Sequence, residues 1–290
     1  MHPGMRRPVV GFTSIRAAAI QLQSAADRTA NLAAAETGVR SAVAAGANLV
    51  VLPEKWPLLA DDETTLAGAE PIDGPAMQLA ASLSDELGID LVAGSFAERV
   101  AGSDRLSNTS VHFGPDGQMK AVYRKIHLFD AQVAGRSYRE SDAFAPGATP
   151  VLSEAADGTV IGMAICFDLR FPELFTNLAA AGAEVFVLPA AFTRETTQSH
   201  WEVLCRARAI ENGCHLVAAN QDGIDGAGRP AGGQSMIISP WGEVLAGAEP
   251  GPSMAVADLD PESRITAQKS IPTGVLRRDQ SSFNPMRGIG

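Results

Sequence analysis

Two hydrophobic rhythms alternate along this chain. Short, nearly continuous apolar runs read as strands buried on both faces, namely Ile15 to Leu22, Asn48 to Leu52, Ile89 to Phe96, Val160 to Ile165, Ala183 to Leu188 and Cys214 to Asn220. Between them, apolar residues recur at three- and four-residue spacing, the signature of an amphipathic helix. The first such segment is rich in alanine, with Leu32, Ala35, Val39 and Val43 on one face, and Ser24-x-x-Asp27 resembles a capping box opening it. Further helices are expected near Ala76 to Leu87, Pro172 to Ala181 and Gln198 to Glu211. Ser107 to Phe113 and Gln118 to Tyr123 flank Pro115-Asp116-Gly117, a hairpin signal, and later strands flank Trp241-Gly242. Strand and helix in alternation predict an α/β protein.

One phrase occurs twice. Ala45-Gly46-Ala47-Asn48-Leu49-Val50-Val51-Leu52-Pro53-Glu54 is echoed by Ala181-Gly182-Ala183-Glu184-Val185-Phe186-Val187-Leu188-Pro189-Ala190. Each reads as a helix end, a glycine break, a buried strand and a proline stop, which suggests two similar halves packed in one domain. Ala190 stands in the second copy where Glu54 stands in the first. The idiom tolerates alanine there, so Glu54 is the better candidate for a function.

Composition narrows the class. With 46% hydrophobic and 19% charged residues, the 290-residue chain has the make-up of a soluble globular protein able to bury a substantial core. We expect a disordered extension over 1–14, one domain over 15–278 and a C-terminal tail over 279–290. The 33 acidic against 23 basic residues give a net charge of −10, and no basic run exceeds two residues, so a nucleic-acid footprint is absent. The same charge disfavours anionic membranes, and no apolar run is long enough to span a bilayer. Met1 to Thr13 lacks the apolar stretch of a signal peptide. The three cysteines, Cys166, Cys205 and Cys214, include no Cys-x-x-Cys pair, which points to a reducing, cytoplasmic setting without a disulfide framework or zinc site.

The candidate chemistry sits at strand ends. The run Val160 to Ile165 delivers Cys166 to its carboxyl end, where open α/β sheets place reactive side chains. Glu54 follows one predicted strand and Lys125 another. Singly, each has an ordinary reading: Cys166 as core packing, Glu54 and Lys125 as solvated loop charges. The combination of acid, amine and thiol is what calls for a chemical account.

Leu52-Pro53-Glu54, Arg124-Lys125-Ile126-His127-Leu128 and Cys166-Phe167-Asp168-Leu169-Arg170-Phe171-Pro172-Glu173-Leu174 resemble, in order and spacing, the Glu-Lys-Cys signature of the nitrilase (carbon–nitrogen hydrolase) superfamily. Glu140 in Tyr138-Arg139-Glu140-Ser141, His200-Trp201-Glu202, Arg206 to Asn212 and Gln234-Ser235 with Pro240-Trp241-Gly242 also fit, so the likeness runs from about Ile15 to about Arg278. It implies a four-layer α-β-β-α sandwich, no cofactor or metal, and a homodimer or larger homo-oligomer in which Ile271 to Phe283, with Arg277-Arg278, contributes to the interface.

By the same resemblance, Cys166 is the nucleophile and Glu54 the general base and acid. Lys125 stabilises the oxyanion together with the backbone N–H of Phe167, and Glu140 is a second carboxylate that holds Lys125 and the substrate amide. Phe192 and Thr193 are pocket residues by family position. Cys-Phe-Asp rather than Cys-Trp-Glu after the nucleophile resembles the omega-amidase and deaminated-glutathione-amidase branch, which implies a small aliphatic, carboxylate-bearing amide as substrate. Glu195 to Ser199 departs from that branch, so an N-carbamoyl substrate stays open. Arg170 could meet a substrate carboxylate; pairing with Asp168 or Glu173 is favoured, because guanidinium groups pair readily with neighbouring carboxylates.

Other classes are weighed against this reading. His127 or His200 could serve as base to Cys166, although in the superfamily the histidine after the lysine is structural. A catalytically idle binding or scaffold protein could keep the fold, but it need not keep Glu54, Lys125, Glu140 and Cys166 together. His2, His112, His127, His200 and His215 form no ligand-spaced cluster for a metal hydrolase, and no Gly-x-Gly-x-x-Gly follows the first strand for a dinucleotide enzyme.

Overall fold

The computed structural model describes residues 15–276. The expectations for 1–14, for Arg277-Arg278 and for 279–290 lie outside the described residues. In the first sheet β1 (Ile15–Gln21), β2 (Leu49–Val51) and β3 (Asp90–Val92) run parallel, and β4 (Phe96–Glu98), β5 (Ser107–Phe113) and β6 (Met119–Arg124) extend it antiparallel. A separate hairpin, β7 (Asp130–Val133) with β8 (Arg136–Arg139), follows. In the second sheet β9 (Val151–Glu154) pairs antiparallel with β10 (Val160–Met163), which runs parallel to β11 (Val185–Ala190) and β12 (His215–Asn220). After a second small hairpin, β13 (Asp222–Ile224) and β14 (Pro230–Gly232), the strands β15 (Met236–Ile238) and β16 (Val244–Gly247) complete that sheet. Finally β17 (Ser253–Leu259) returns to the first sheet along the whole of β1.

The two sheets face each other and helices close both outer faces, giving the four-layer α-β-β-α sandwich. Strand β1 shows why the sequence reads as it does. Ala17 and Ala19 enter the core between the sheets, together with Leu49, Val51, Val187 and Val217. Ala18 and Ile20 point the other way, to Ala35, Val39, Met77 and Leu83 of helices Arg28–Ala44 and Pro75–Leu87. Successive strand residues alternate faces, and with both faces buried the whole run must be apolar. Helices Pro172–Ala180 and Glu202–Asn212 cover the second sheet with Leu174, Phe175, Cys205 and Ala209.

Several local expectations need correction. The first helix is capped by Asp27, whose carboxylate accepts from Ala30 N at 3.1 Å, while the Ser24 hydroxyl accepts from Gln221 Nε2 at 3.0 Å. The run Ile89 to Phe96 is two strands, broken at Gly94 (φ +52°), where a Cβ would lie 2.1 Å from the Pro53 carbonyl beside Glu54. The helix expected from Gln198 opens with a wide π turn, Thr197–Trp201, before Glu202–Asn212. The hairpin β7–β8, which leads into Glu140, is an element that hydrophobic patterning did not signal.

The two copies of the echoed phrase end on the middle parallel strands of the two sheets, β2 and β11. There they meet, Glu54 N donating to the Ala190 carbonyl at 3.3 Å. The repeat therefore brings Glu54 to the seam between the halves. Among the described residues no helix is long and apolar enough to cross a membrane.

Candidate active site

Cys166 follows β10 at an abrupt change of backbone direction. Ile165 is extended (φ −131°, ψ 119°), Cys166 takes φ +48°, and a 3-10 turn, Cys166–Arg170, leads to helix Pro172–Ala180. A non-glycine residue in the left-handed region costs about 1–3 kcal/mol and persists only where its surroundings enforce it. Asp168, fully buried, supplies the enforcement. Its Oδ2 accepts from Ile165 N (2.9 Å) and the Tyr123 hydroxyl (2.7 Å), and its Oδ1 accepts from His127 N (3.1 Å) and lies 2.7 Å from His127 Nδ1. The turn presenting the thiol is thus tied to the end of β6 and the chain just beyond it.

Three charged side chains converge beside the thiol. Lys125 Nζ, 1% exposed, lies 2.9 Å from Glu54 Oε1 and 2.8 Å from Glu140 Oε2. Strand pairing aims it inward, because Lys125 N continues the ladder to the Asn108 carbonyl at 2.9 Å. Glu140 also accepts from Phe129 N at 2.8 Å and pairs with Lys55 Nζ at 3.1 Å. Asn108 Nδ2 reaches Glu54 Oε1 at 2.8 Å and Glu140 Oε1 at 3.0 Å.

The electrostatics follow from this packing. Burial pushes the Cys166 thiol well above the ordinary range; the Glu54 carboxylate adds to that rise and the Lys125 ammonium opposes it. The resting thiol is therefore protonated near neutral pH, and attack requires a base. For Lys125, burial pulls downward, but the charges of Glu140 and Glu54 outweigh it and hold the ammonium well above its usual range. For Glu140, burial pushes upward, yet Lys125 and Lys55 overcome it and keep the carboxyl ionised far below the usual range.

Cys166, Glu54, Lys125 and Glu140 line one cavity of about 150 Å³, with Lys55, Tyr138 and Arg229 among its other walls. A smaller adjoining hollow of about 20 Å³ is lined by Cys166, Phe167, Arg170, Phe192 and Thr193. All eight candidate residues thus gather around the thiol. Asn220 Oδ1 fixes the Phe192 N–H at 2.9 Å, and Thr193 lines both spaces.

Arg170 departs from expectation. Asp168 is consumed by β6 and His127, and Arg170 pairs with neither Asp168 nor Glu173. Its guanidinium lies over Phe167 and Phe192 at 5.8 and 5.4 Å, with its Nη1 3.3 Å from His200 Nδ1. The histidine-base alternative finds no geometric support. His127 is engaged by Asp168 and stacked on Phe171 at 3.7 Å, and His200 faces Arg170. Among the described residues, no group of three or more His, Cys, Asp or Glu side chains is placed to hold a metal ion.

Sequence reasoning missed Asn108, Lys55 and the Asp168–Tyr123 clamp. Asn108 carried a signal, since Ser107-Asn108-Thr109-Ser110 is a polar run inside a strand buried at all seven positions. Lys55 carried none beyond its place after Glu54.

A buried thiol, carboxylate and ammonium at one cavity form a site suited to attack on an electrophilic carbon. Comparison with known proteins gives the class. The carbon–nitrogen hydrolase family model matches residues 16–269, and the chain belongs to that family. It is an enzyme hydrolysing carbon–nitrogen bonds of amides. The deaminated glutathione amidase of Synechocystis sp. is 38% identical over 261 residues, covering 89% of this chain and 96% of that protein. Human omega-amidase NIT2 is 37% identical over 273 residues, covering 94% and 97%. The crystal structure of Saccharomyces cerevisiae Nit3, from branch 10 of the nitrilase superfamily, superposes with a TM-score of 0.82 at 29% identity, covering 92% and 97%.

Proposed function

We propose that the chain hydrolyses small aliphatic amides bearing a carboxylate, releasing ammonia through a thioester on Cys166. The observation that carries this reading is the thiol held in a strained turn against a buried Glu54, whose Oε1 is already occupied by Lys125. The Cys166 proton passes to Glu54 as sulfur bonds to the amide carbon and the carbonyl oxygen takes the negative charge. Lys125 and the Phe167 N–H stabilise that oxygen, in surroundings where a charge–charge interaction exceeds its value in water. Collapse breaks the C–N bond while Glu54 returns the proton to nitrogen, so ammonia departs and a thioester remains. Water then gives a proton to Glu54 and its oxygen to the carbonyl. The second collapse expels the thiolate, which recovers the proton. Each residue returns to its starting state, as the double duty of one acid–base group requires.

The substrate class rests on Arg170. Its cation lies in the hollow beside Cys166 with no carboxylate partner among the described residues, and a guanidinium fork suits a carboxylate. The names of the two relatives, an omega-amidase and a deaminated glutathione amidase, support the same class. Ammonia release across succinamate-like ω-amides, uncharged amides and carbamoyl compounds tests the reading, with Cys166→Ala alongside. Turnover confined to carboxylate-bearing amides and absent from the variant is expected. Preference for uncharged amides would overturn the substrate class, and an active Cys166→Ala would overturn the mechanism.

A further inference from the structure

Strand β5 carries four consecutive polar residues into a fully buried position, and one of them, Asn108, 1% exposed, enters the active site. An asparagine amide has two N–H bonds on one nitrogen. In this structure that nitrogen spans both carboxylates, 2.8 Å from Glu54 Oε1 and 3.0 Å from Glu140 Oε1. Turning the amide over would set its oxygen against two carboxylate oxygens, so the network fixes its orientation. The Asn108 Oδ1 is buried without a hydrogen-bond partner. A buried amide that leaves one polar atom unpaired sacrifices stability, and the nitrogen side, joined to the two carboxylates, is where the return lies.

Glu54 Oε1 receives both Asn108 Nδ2 and Lys125 Nζ, the latter at 2.9 Å. Two donors on one oxygen restrict the turning of the carboxylate, and no donor is placed on Oε2 among the described residues. We propose that Asn108 is a positioning residue for proton transfer: it holds Glu54 with Oε1 engaged and Oε2 toward Cys166, and it keeps the two carboxylates at a fixed separation. This rests on the reading of Glu54 as general base. Removal of Asn108 frees the Glu54 carboxylate to turn away from Cys166 and slows proton transfer.

Alkylation of Cys166 by iodoacetamide, followed by intact mass across pH 4 to 9, tests this on the full chain without a substrate. The variants are Asn108→Leu, which keeps the volume and loses both N–H groups, and Asn108→Ser, which is smaller and polar and serves if the leucine variant does not fold. Glu54→Gln is the reference. Expected is a fall of about 10- to 100-fold near neutral pH, at or below what a positioned base contributes, with the rate-against-pH profile moved toward that of Glu54→Gln. Should Glu54→Gln alter rate and profile while the Asn108 variants keep the wild-type profile, Asn108 is structural only and the proposal fails alone. Should Glu54→Gln change neither, the general-base reading fails and the proposal falls with it.

Discussion

Exchanging Glu140 for glutamine removes one charge at nearly constant shape, and the structure shows what that does. The carboxylate accepts from four donors, Asn108 Nδ2 and Lys55 Nζ at Oε1, Lys125 Nζ and Phe129 N at Oε2. An amide offers one acceptor oxygen and one NH₂ group. Whichever way it turns, its NH₂ faces two of those donors. Asn108 and Lys125 keep Glu54 as a partner, so in either orientation one donor, Lys55 Nζ or Phe129 N, loses its own; a buried donor left unpaired costs about 1–3 kcal/mol, and Glu140→Gln is expected to lose roughly 1–3 kcal/mol of stability. That is a large share of the roughly 5–15 kcal/mol that keeps a typical domain folded.

Urea unfolding measures the loss as a shift in midpoint at constant slope. Activity falls too, by about 100-fold or more, because Lys125, the proposed oxyanion donor, loses one of the two carboxylates that hold it. The pH dependence has a defined sign. Glu140 is depressed in the folded state by Lys125 and Lys55, against the pull of burial. Its contribution is therefore present above the unfolded carboxyl range, about pH 4.3, and is lost as pH falls through the folded value. In Glu140→Gln that portion of acid destabilisation disappears. A variant unfolding within about 0.5 kcal/mol of wild type, the scatter of an inconsequential surface change, would refute the reasoning.

Other consequences are equally direct. Cys166→Ala and Cys166→Gly both abolish turnover, but glycine relieves the φ of +48°, so the glycine variant is expected to unfold about 1 kcal/mol later than the alanine variant; equal stabilities would remove the strain. Arg170→Met raises KM for carboxylate-bearing amides by about 10-fold or more, with a smaller effect on uncharged amides, in steady-state kinetics; an equal effect on both would deny Arg170 the carboxylate. Burial lowers the His215 pKa from 6.5 to about 4, against the pull of Asp260 and with the help of Arg264. The unfolded chain then binds the extra proton between those values, so stability rises with pH across that window by up to about 3 kcal/mol. His215→Leu should flatten this part of the stability curve, and an unchanged curve would show that His215 is not its source.

How much of this the sequence carried depends on which residues act locally. Strands buried on both faces announce themselves by unbroken apolar runs; Glu54 and Cys166 stand just beyond two such strands and Lys125 beyond a shorter, half-exposed one, in an order that resembles one family. Glu140 was reached through that resemblance alone, since the hairpin before it is partly exposed and carries no hydrophobic period. Arg170 was misassigned for a tertiary reason. Asp168, two residues away, is claimed by Tyr123, a partner 45 positions earlier that only the folded sheet brings near. Asn108 was passed over because a polar run within a strand reads as an exposed edge, whereas here Asn108 meets the two glutamates, Thr109 the Glu98 carboxylate at 2.6 Å, and the Ser110 hydroxyl is buried without a partner. Ser24 looked like a helix cap until Gln221, nearly two hundred residues on, took its hydroxyl.

The central claim is a covalent acyl group on Cys166. Rapid acid quench of wild-type protein in its first turnovers with a carboxylate-bearing ω-amide, followed by intact mass and peptide mapping, tests it most directly. A mass gain equal to substrate less ammonia, located on the Cys166 peptide and missing from Cys166→Ala, is the predicted result. Ammonia release that continues in Cys166→Ala, with no acyl adduct on any cysteine of the wild type, would contradict it.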